Sequence, residues 1–169
     1  MAIRLTGIGH CALAARDMES MSTFYTDVLC FEVLERDPDH GGIFMNVPGT
    51  SHTIDLFPAG FMGRANSSDA PDVSDASRAS PLIHIAFKVA HYQALREAHR
   101  SLVDHGVHIR AMLDHTNQRS IYFSDPEGNG LEIYFERPDW QEIFRRGRHD
   151  EDVTFSFDDP APEWETAPE

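Results

Sequence analysis

The pattern of apolar residues in the first third of the chain changes from strand-like to helix-like and back. Residues 4–14 are rich in apolar and small residues and predict a strand, after which Asp17 is a typical helix N-cap. Over residues 17–29 the apolar side chains recur at helical spacing: Met18, Met21, Phe24, Tyr25, Val28 and Leu29. Three more strands are predicted at 31–35, 42–47 and 52–57. This segment therefore has the order βαβββ.

The same order of elements is predicted a second time after residue 80. A strand over 82–89 precedes a helix over 91–105, which Gly106 ends because glycine is favoured just after a helix. Strands follow at 107–113, 119–124 and 131–136, and the last two are joined by the turn-forming residues DPEGNG. The sequence thus predicts an α+β protein built from two βαβββ modules.

The composition outside the repeats divides the chain into four segments: module 1 over 1–58, a flexible linker or loop over 59–80, module 2 over 81–138, and an acidic C-terminal extension over 139–169. The linker is rich in Ala, Ser, Asp, Gly and Pro, which bury little apolar area. In the extension we expect a helical turn at 140–144. Beyond Asp150 we expect weak order, except where Phe155, Phe157 or Trp164 packs on the body.

Each module carries a histidine on its first strand and a carboxylate on its last strand, at nearly the same separation. These are His10 and Asp55 in the first module, and His84 and Glu132 in the second. Either histidine alone has a simpler interpretation as a structural residue. A carboxylate such as Glu132, between two apolar neighbours, is costly to bury unless it is paired or binds a metal. Together His10, His84 and Glu132 fit the 2-His-1-carboxylate triad of non-haem iron enzymes.

Two further pairs of residues are candidates for chemistry. His52 and Asp55 are three apart, so in a regular strand their side chains point to opposite faces, and only one of them is expected at the metal. Asp55 is a candidate fourth ligand and His52 a candidate acid–base residue, and the alternative for either is a solvated edge position. His115 and Tyr122 lie before the turn at 125–130, and Glu132 lies on the strand after it. The alternatives for them are a surface loop and ordinary strand packing.

The bulk composition excludes several classes of partner. With a formal net charge of −14 and a pI near 5.0, the chain is unsuited to bind nucleic acid or an anionic membrane. It has no apolar run near the ~20 residues of a membrane helix and no signal-peptide pattern at its start. Its two cysteines, Cys11 and Cys30, form no CxxC motif and are interpreted as reduced thiols. We therefore expect a cytoplasmic protein with no nucleic-acid or membrane partner.

The repeat and its motifs resemble the vicinal oxygen chelate superfamily, which includes glyoxalase I, bleomycin- and fosfomycin-resistance proteins and type I extradiol dioxygenases. The resemblance rests on Ile8-Gly9-His10, on Phe24-Tyr25 followed by residues 28–33, and on residues 125–134. It implies two βαβββ modules whose curved, barrel-like mixed sheet surrounds a metal cleft. Within the superfamily the chain is most similar to small catechol-2,3-dioxygenase-like proteins, through His52, the pair Asp114-His115 and the strand Ser120-Ile121-Tyr122.

That resemblance implies an Fe(II) extradiol dioxygenase that cleaves a catechol-type aromatic substrate with O₂, and it is compatible with a homodimer. His10, His84 and Glu132 would bind the iron, His52 would be the acid–base residue, and Tyr122 and His115 would lie near the substrate. Asp55 departs from the dioxygenase pattern and matches a metal-binding carboxylate of glyoxalase I. The first alternative is therefore a glyoxalase-like lyase or isomerase with four ligands and Zn²⁺, Ni²⁺ or Mn²⁺. The second is a metal-free antibiotic-binding resistance protein.

Overall fold

The computed structural model describes residues 7–61, 82–147, 152–160 and 162–165. The chain divides into two compact units, Met1–Ser80 and Pro81–Glu169. Residues 62–80 of the predicted linker and residues 4–6 of the predicted first strand lie outside the described residues. Among the described parts of the chain, no helix has the length and apolar character needed to cross a bilayer.

The described part of the first unit contains a four-stranded sheet and a helix that continues into a π-helical segment. Its elements are β1 (Cys11–Ala15), α1 (Met18–Thr23), a π-helical segment (Phe24–Val28), β2 (Glu32–Arg36), β3 (Ile43–Asn46) and β4 (Ile54–Pro58). The strand order is β1-β4-β3-β2, and β1 is parallel to β4. The core of this unit consists of side chains with no exposed surface: Met21, Tyr25, Met45, Ile54 and Leu56.

The helix predicted over 17–29 is present, but its second half is wound differently. Its start is as predicted, because the Asp17 side chain accepts a hydrogen bond from the Ser20 backbone N–H at 2.9 Å. From Phe24 onward the winding is π-helical, and the Phe31 N–H donates to the Tyr25 carbonyl at 2.9 Å. The apolar face predicted from periodicity still packs inward, since Met21, Phe24 and Tyr25 are all buried.

The second unit contains a five-stranded sheet, with the strand order β5-β8-β7-β6-β9. Its elements are β5 (Ile85–Lys88), α2 (Tyr92–Asp104), β6 (Ala111–Asp114), β7 (Gln118–Ser124), β8 (Gly130–Glu136), α3 (Trp140–Arg146), β9 (Val153–Thr154) and a 3₁₀ turn (Glu163–Glu165). As expected, Gly106 follows α2 with φ +69°. Strand β9, from the C-terminal extension, was not predicted.

The two units repeat the same strand pairing residue by residue. In the first, β1 and β4 are parallel with Ala12 opposite Asp55; in the second, β5 and β8 are parallel with Ala86 opposite Glu132. The prediction of an α+β fold with two βαβββ modules is confirmed. The described strands form two separate sheets and no closed barrel.

Candidate metal centre

In the first unit, the pairing of β1 with β4 brings His10 to Asp55. His10 immediately precedes β1 and is two residues before Ala12, the partner of Asp55. Because side chains two apart in extended chain share a face, His10 and Asp55 lie on the same face of the sheet. His10 Nε2 is 3.6 Å from Asp55 Oδ2, and the Asp55 side chain is 3% exposed. Asp55 is therefore a buried carboxylate beside a histidine, and not a solvated edge residue.

His52 also reaches Asp55, contrary to the expectation that the two residues point to opposite faces. Its Nδ1 lies 2.8 and 3.0 Å from the two carboxylate oxygens of Asp55. Its ring stacks on that of His10, with centroids 4.4 Å apart. The prediction of opposite faces was wrong here because β4 begins only at Ile54. His52 precedes the regular strand, so the alternation of faces does not extend back to it.

The first unit thus gathers a donor set suited to a divalent cation. His10, His52 and Asp55 each offer one ligand atom, and these atoms lie within 4.8 Å of one another. Two imidazole nitrogens and a carboxylate oxygen suit Zn, Ni, Mn or non-haem Fe(II). Burying an aspartate is unfavourable without compensation, and the two histidines provide it here. The residues present therefore fit a metal ion.

In the second unit, the matching strand pairing brings His84 to Glu132. His84 is two residues before Ala86, the partner of Glu132, and its Nε2 lies 2.9 Å from Glu132 Oε2. The other carboxylate oxygen accepts a hydrogen bond from Gln118 Nε2 at 2.9 Å. The Glu132 side chain is only 3% exposed. Both oxygens of this buried carboxylate are held by polar groups, which fixes its orientation on the sheet.

Tyr122 faces Glu132 across the antiparallel pair of β7 and β8, as the turn at 125–130 predicted. The two residues are direct partners in the ladder, so their side chains share a face. Burial, followed by the negative charge of Glu132, raises the pKa of Tyr122 to about 12. The phenol is therefore fully protonated at neutral pH. Its hydroxyl lies 2.8 Å from His115 Nε2, and its ring contacts the His84 ring edge-on at 5.6 Å.

The predicted site residues therefore form two groups, one in each unit. His10, His52 and Asp55 meet in the first unit, and a second set meets in the other: His84, His115, Tyr122 and Glu132. Two neighbours of the second group were not predicted. Gln118 donates a hydrogen bond to Glu132. The one sequence signal for this contact is the place of Gln118 two residues before Ser120, on the same face of the strand. Asp152 contacts His115 from 37 residues away in the chain, and no local sequence signal marks it.

Comparison with known proteins identifies the family. The model of the Glyoxalase/Bleomycin resistance protein/Dioxygenase superfamily matches residues 7–133, which include every residue of the two groups. The chain belongs to this superfamily. The superfamily generally binds a divalent metal, in agreement with the donor sets described above.

Named relatives of the chain include two dioxygenases. The chain is 28% identical to a catechol-2,3-dioxygenase of Bacillus subtilis (strain 168) over 138 residues, covering 80% of this chain and 44% of that protein. It is 27% identical to biphenyl-2,3-diol 1,2-dioxygenase 3 of Rhodococcus globerulus over 128 residues, covering 75% and 61%. The chain spans about half the length of these relatives.

A solved structure gives the same fold. The crystal structure of lactoylglutathione lyase from Agrobacterium tumefaciens aligns with a TM-score of 0.60 and 23% sequence identity, covering 78% of this chain and 94% of that one. At this level of identity the likeness concerns the fold alone. The superfamily thus joins dioxygenases and glyoxalases on one scaffold, and a reaction has to be argued from the residues of the site.

Proposed function

We propose that this protein is an extradiol dioxygenase that cleaves a catechol-type aromatic ring with O₂, and that His10, His84 and Glu132 bind its Fe(II). The observation that carries the proposal is the hydrogen-bonded pair of Tyr122 and His115 beside the buried Glu132 and His84. A vicinal diol needs hydrogen-bonding groups next to the metal ligands, and this pair supplies them. The names of the two dioxygenase relatives point to the same class of substrate.

His52 is the proposed acid–base residue. The Asp55 carboxylate accepts a hydrogen bond from His52 Nδ1–H. In the neutral ring the proton is therefore on Nδ1 and the lone pair is on Nε2. A lone pair on Nε2 can accept a proton from a substrate hydroxyl, as general-base catalysis requires. A bound divalent metal would supply Lewis acidity toward the substrate oxygens and, as iron, redox chemistry with O₂.

Tyr122 is proposed to orient a substrate hydroxyl, from which the neutral phenol oxygen can accept a hydrogen bond. Its raised pKa keeps the phenol neutral across the physiological range, so it contacts the substrate without adding charge beside Glu132. His115, held against the phenol at 2.8 Å, limits the directions in which the Tyr122 hydroxyl can point. The two residues together would orient the substrate.

Metal analysis and oxygen uptake test the proposal. Protein purified without oxygen should contain iron and consume O₂ with catechol. His10→Ala, His84→Ala and Glu132→Ala should each lose the metal and remain folded, whereas His52→Ala should keep iron and lose O₂ uptake by about 100-fold or more. The exposed His108→Ala is the matched control and should change neither property. Full metal content in all three ligand variants would refute the ligand assignment.

A glyoxalase-like lyase or isomerase is the second candidate, favoured by Asp55. This buried carboxylate occupies in β4 the register position that Glu132 occupies in β8, so His10, Asp55, His84 and Glu132 would be four ligands to Zn²⁺, Ni²⁺ or Mn²⁺. The variant Asp55→Ala separates the candidates. Release of the metal from Asp55→Ala, with His52→Ala unchanged in activity, supports the lyase. Retention of the metal with reduced O₂ uptake supports the dioxygenase, in which Asp55 orients His52.

A further inference from the structure

The C-terminal extension adds a strand to the sheet that carries Tyr122 and Glu132. Strand β9 is antiparallel to β6, with Thr154 opposite Leu113 and Val153 opposite Asp114. The Phe155 N–H continues the pairing by donating to the Met112 carbonyl at 3.3 Å. These residues lie beyond the part of the chain, 7–133, that the family model matches. The extension is therefore built into the second unit.

Aromatic and charged contacts anchor the extension on the same unit. The Arg119 guanidinium lies 4.6 Å from the centre of the Phe155 ring, Trp164 stacks on Phe135 at 5.6 Å, and Arg96 donates to the Phe157 carbonyl at 3.0 Å. Cation–π and aromatic contacts of this kind stabilise the packed segment. Phe155, Phe157 and Trp164 thus pack as expected. Together these contacts hold the segment that begins with Asp152 at a defined place.

At that place Asp152 meets the candidate substrate-side residue His115. Asp152 Oδ1 lies 2.6 Å from His115 Nδ1, while His115 Nε2 lies 2.8 Å from the Tyr122 hydroxyl. An ionised carboxylate only accepts hydrogen bonds, so His115 carries its proton on Nδ1. In the neutral ring Nε2 is then an acceptor for the Tyr122 hydroxyl. One carboxylate therefore sets both the ring orientation and the tautomer of His115.

We propose that Asp152 is a positioning residue of the active site, delivered by the C-terminal extension, that orients His115 against Tyr122. The inference rests on the proposed function for the role of His115 and Tyr122 toward substrate. A surface ion pair without such a role would contribute little, because the Asp152 side chain is 51% exposed and exposed pairs are weak. The His115 side chain is only 12% exposed, so the histidine end of the pair, which contacts Tyr122, is sheltered from solvent.

Nitrogen-15 NMR of the His115 ring in the full chain loaded with Zn²⁺ tests the orientation without reference to turnover. The wild type should show His115 protonated at Nδ1. Asp152→Ala should lose that preference. Asp152→Asn, whose carbonyl oxygen still accepts a hydrogen bond, should restore most of it. Asp158→Asn, an acidic residue of the same extension, is the matched control and should leave the His115 spectrum unchanged.

Kinetics of the iron-loaded protein with catechol supply the second readout. Asp152→Ala should reduce kcat about 10-fold, less than the ~10²–10⁴-fold of a group that transfers the proton itself, because Asp152 acts only through His115. The change in KM should be smaller, and Asp152→Asn should partly restore kcat. An unchanged His115 tautomer, or an altered tautomer with wild-type kcat, overturns the proposal. If the wild type consumes no O₂ with catechol, the proposed function fails. The NMR result alone then decides whether Asp152 positions His115.

Discussion

Gly130 is the position at which one added methyl group should disturb both stability and the candidate site. It opens β8 beside the chain segment that carries His84. A Cβ atom built on Gly130 would overlap the backbone carbonyl oxygen of Ile83 and would lie 3.3 Å from His84 Cβ. The conflicting atom belongs to the backbone, which cannot rotate away as a side chain can. The variant Gly130→Ala therefore has to displace residues 83 and 84.

The size of the effect follows from two opposing contributions. Forcing an extra methyl group into packed structure costs about 1–3 kcal/mol, and the lower entropy of the unfolded alanine chain offsets about 0.4–1 kcal/mol. At the middle of these ranges the net destabilisation is about 1.3 kcal/mol, which lowers Tm by about 3–5 °C for a chain of this size. Since His84 Nε2 lies 2.9 Å from Glu132, its displacement should also weaken metal binding.

Calorimetry and metal competition measure the two effects. Gly9→Ala is the matched control, because Gly9 adjoins the candidate ligand His10 but has open space around its Cβ position. This control should keep the wild-type metal affinity and should match or slightly exceed the wild-type Tm, because it has the same loss of unfolded-chain entropy without the steric conflict. If Gly130→Ala has the same Tm as Gly9→Ala and binds metal equally well, then residues 83 and 84 can move without loss of stability. That result would refute the predicted steric conflict.

Three further predictions concern other parts of the fold. Arg119→Met should lower the free energy of unfolding, measured by chemical denaturation, by about 1.5–3 kcal/mol, because it removes a charged hydrogen bond at 2.8 Å to Asp114. The exposed Arg145→Met should leave the free energy of unfolding unchanged, and equal denaturation midpoints for the two variants would contradict this prediction. Because folding raises the pKa of Tyr122, the stability that this phenol contributes is full below pH ~10 and is lost as the pH rises toward about 12. In an ultraviolet titration of tyrosinate, Tyr122→Phe should remove the component with a midpoint near that upper pH. An unchanged titration curve would contradict the assignment. Asp17→Ala should lower stability by about 1 kcal/mol through loss of the α1 N-cap, and calorimetry showing no loss would exclude a capping role.

The sequence alone determined the repeat and the positions of its candidate ligands. Periodicity separated strands from helices, and the equal placement of His10 with Asp55 and of His84 with Glu132 marked equivalent positions in the two modules. These inferences succeeded because side-chain direction within a regular element follows from a fixed period. The pairing of Tyr122 with Glu132 was predictable for the same reason, since the short turn between β7 and β8 fixes their register.

Tertiary structure decided the contacts that fall outside regular elements. The meeting of His52 with Asp55 depends on where β4 begins, and strand ends are set by pairing with neighbouring strands and by turns, which local pattern does not specify. The π-helical winding after Phe24 left the apolar face intact and so gave no periodic signal. The contact of Asp152 with His115 joins residues far apart in sequence. It exists because β9 pairs with β6 and Arg119 holds Phe155, and such pairing is chosen by the packed sheet and not by any short segment of the chain.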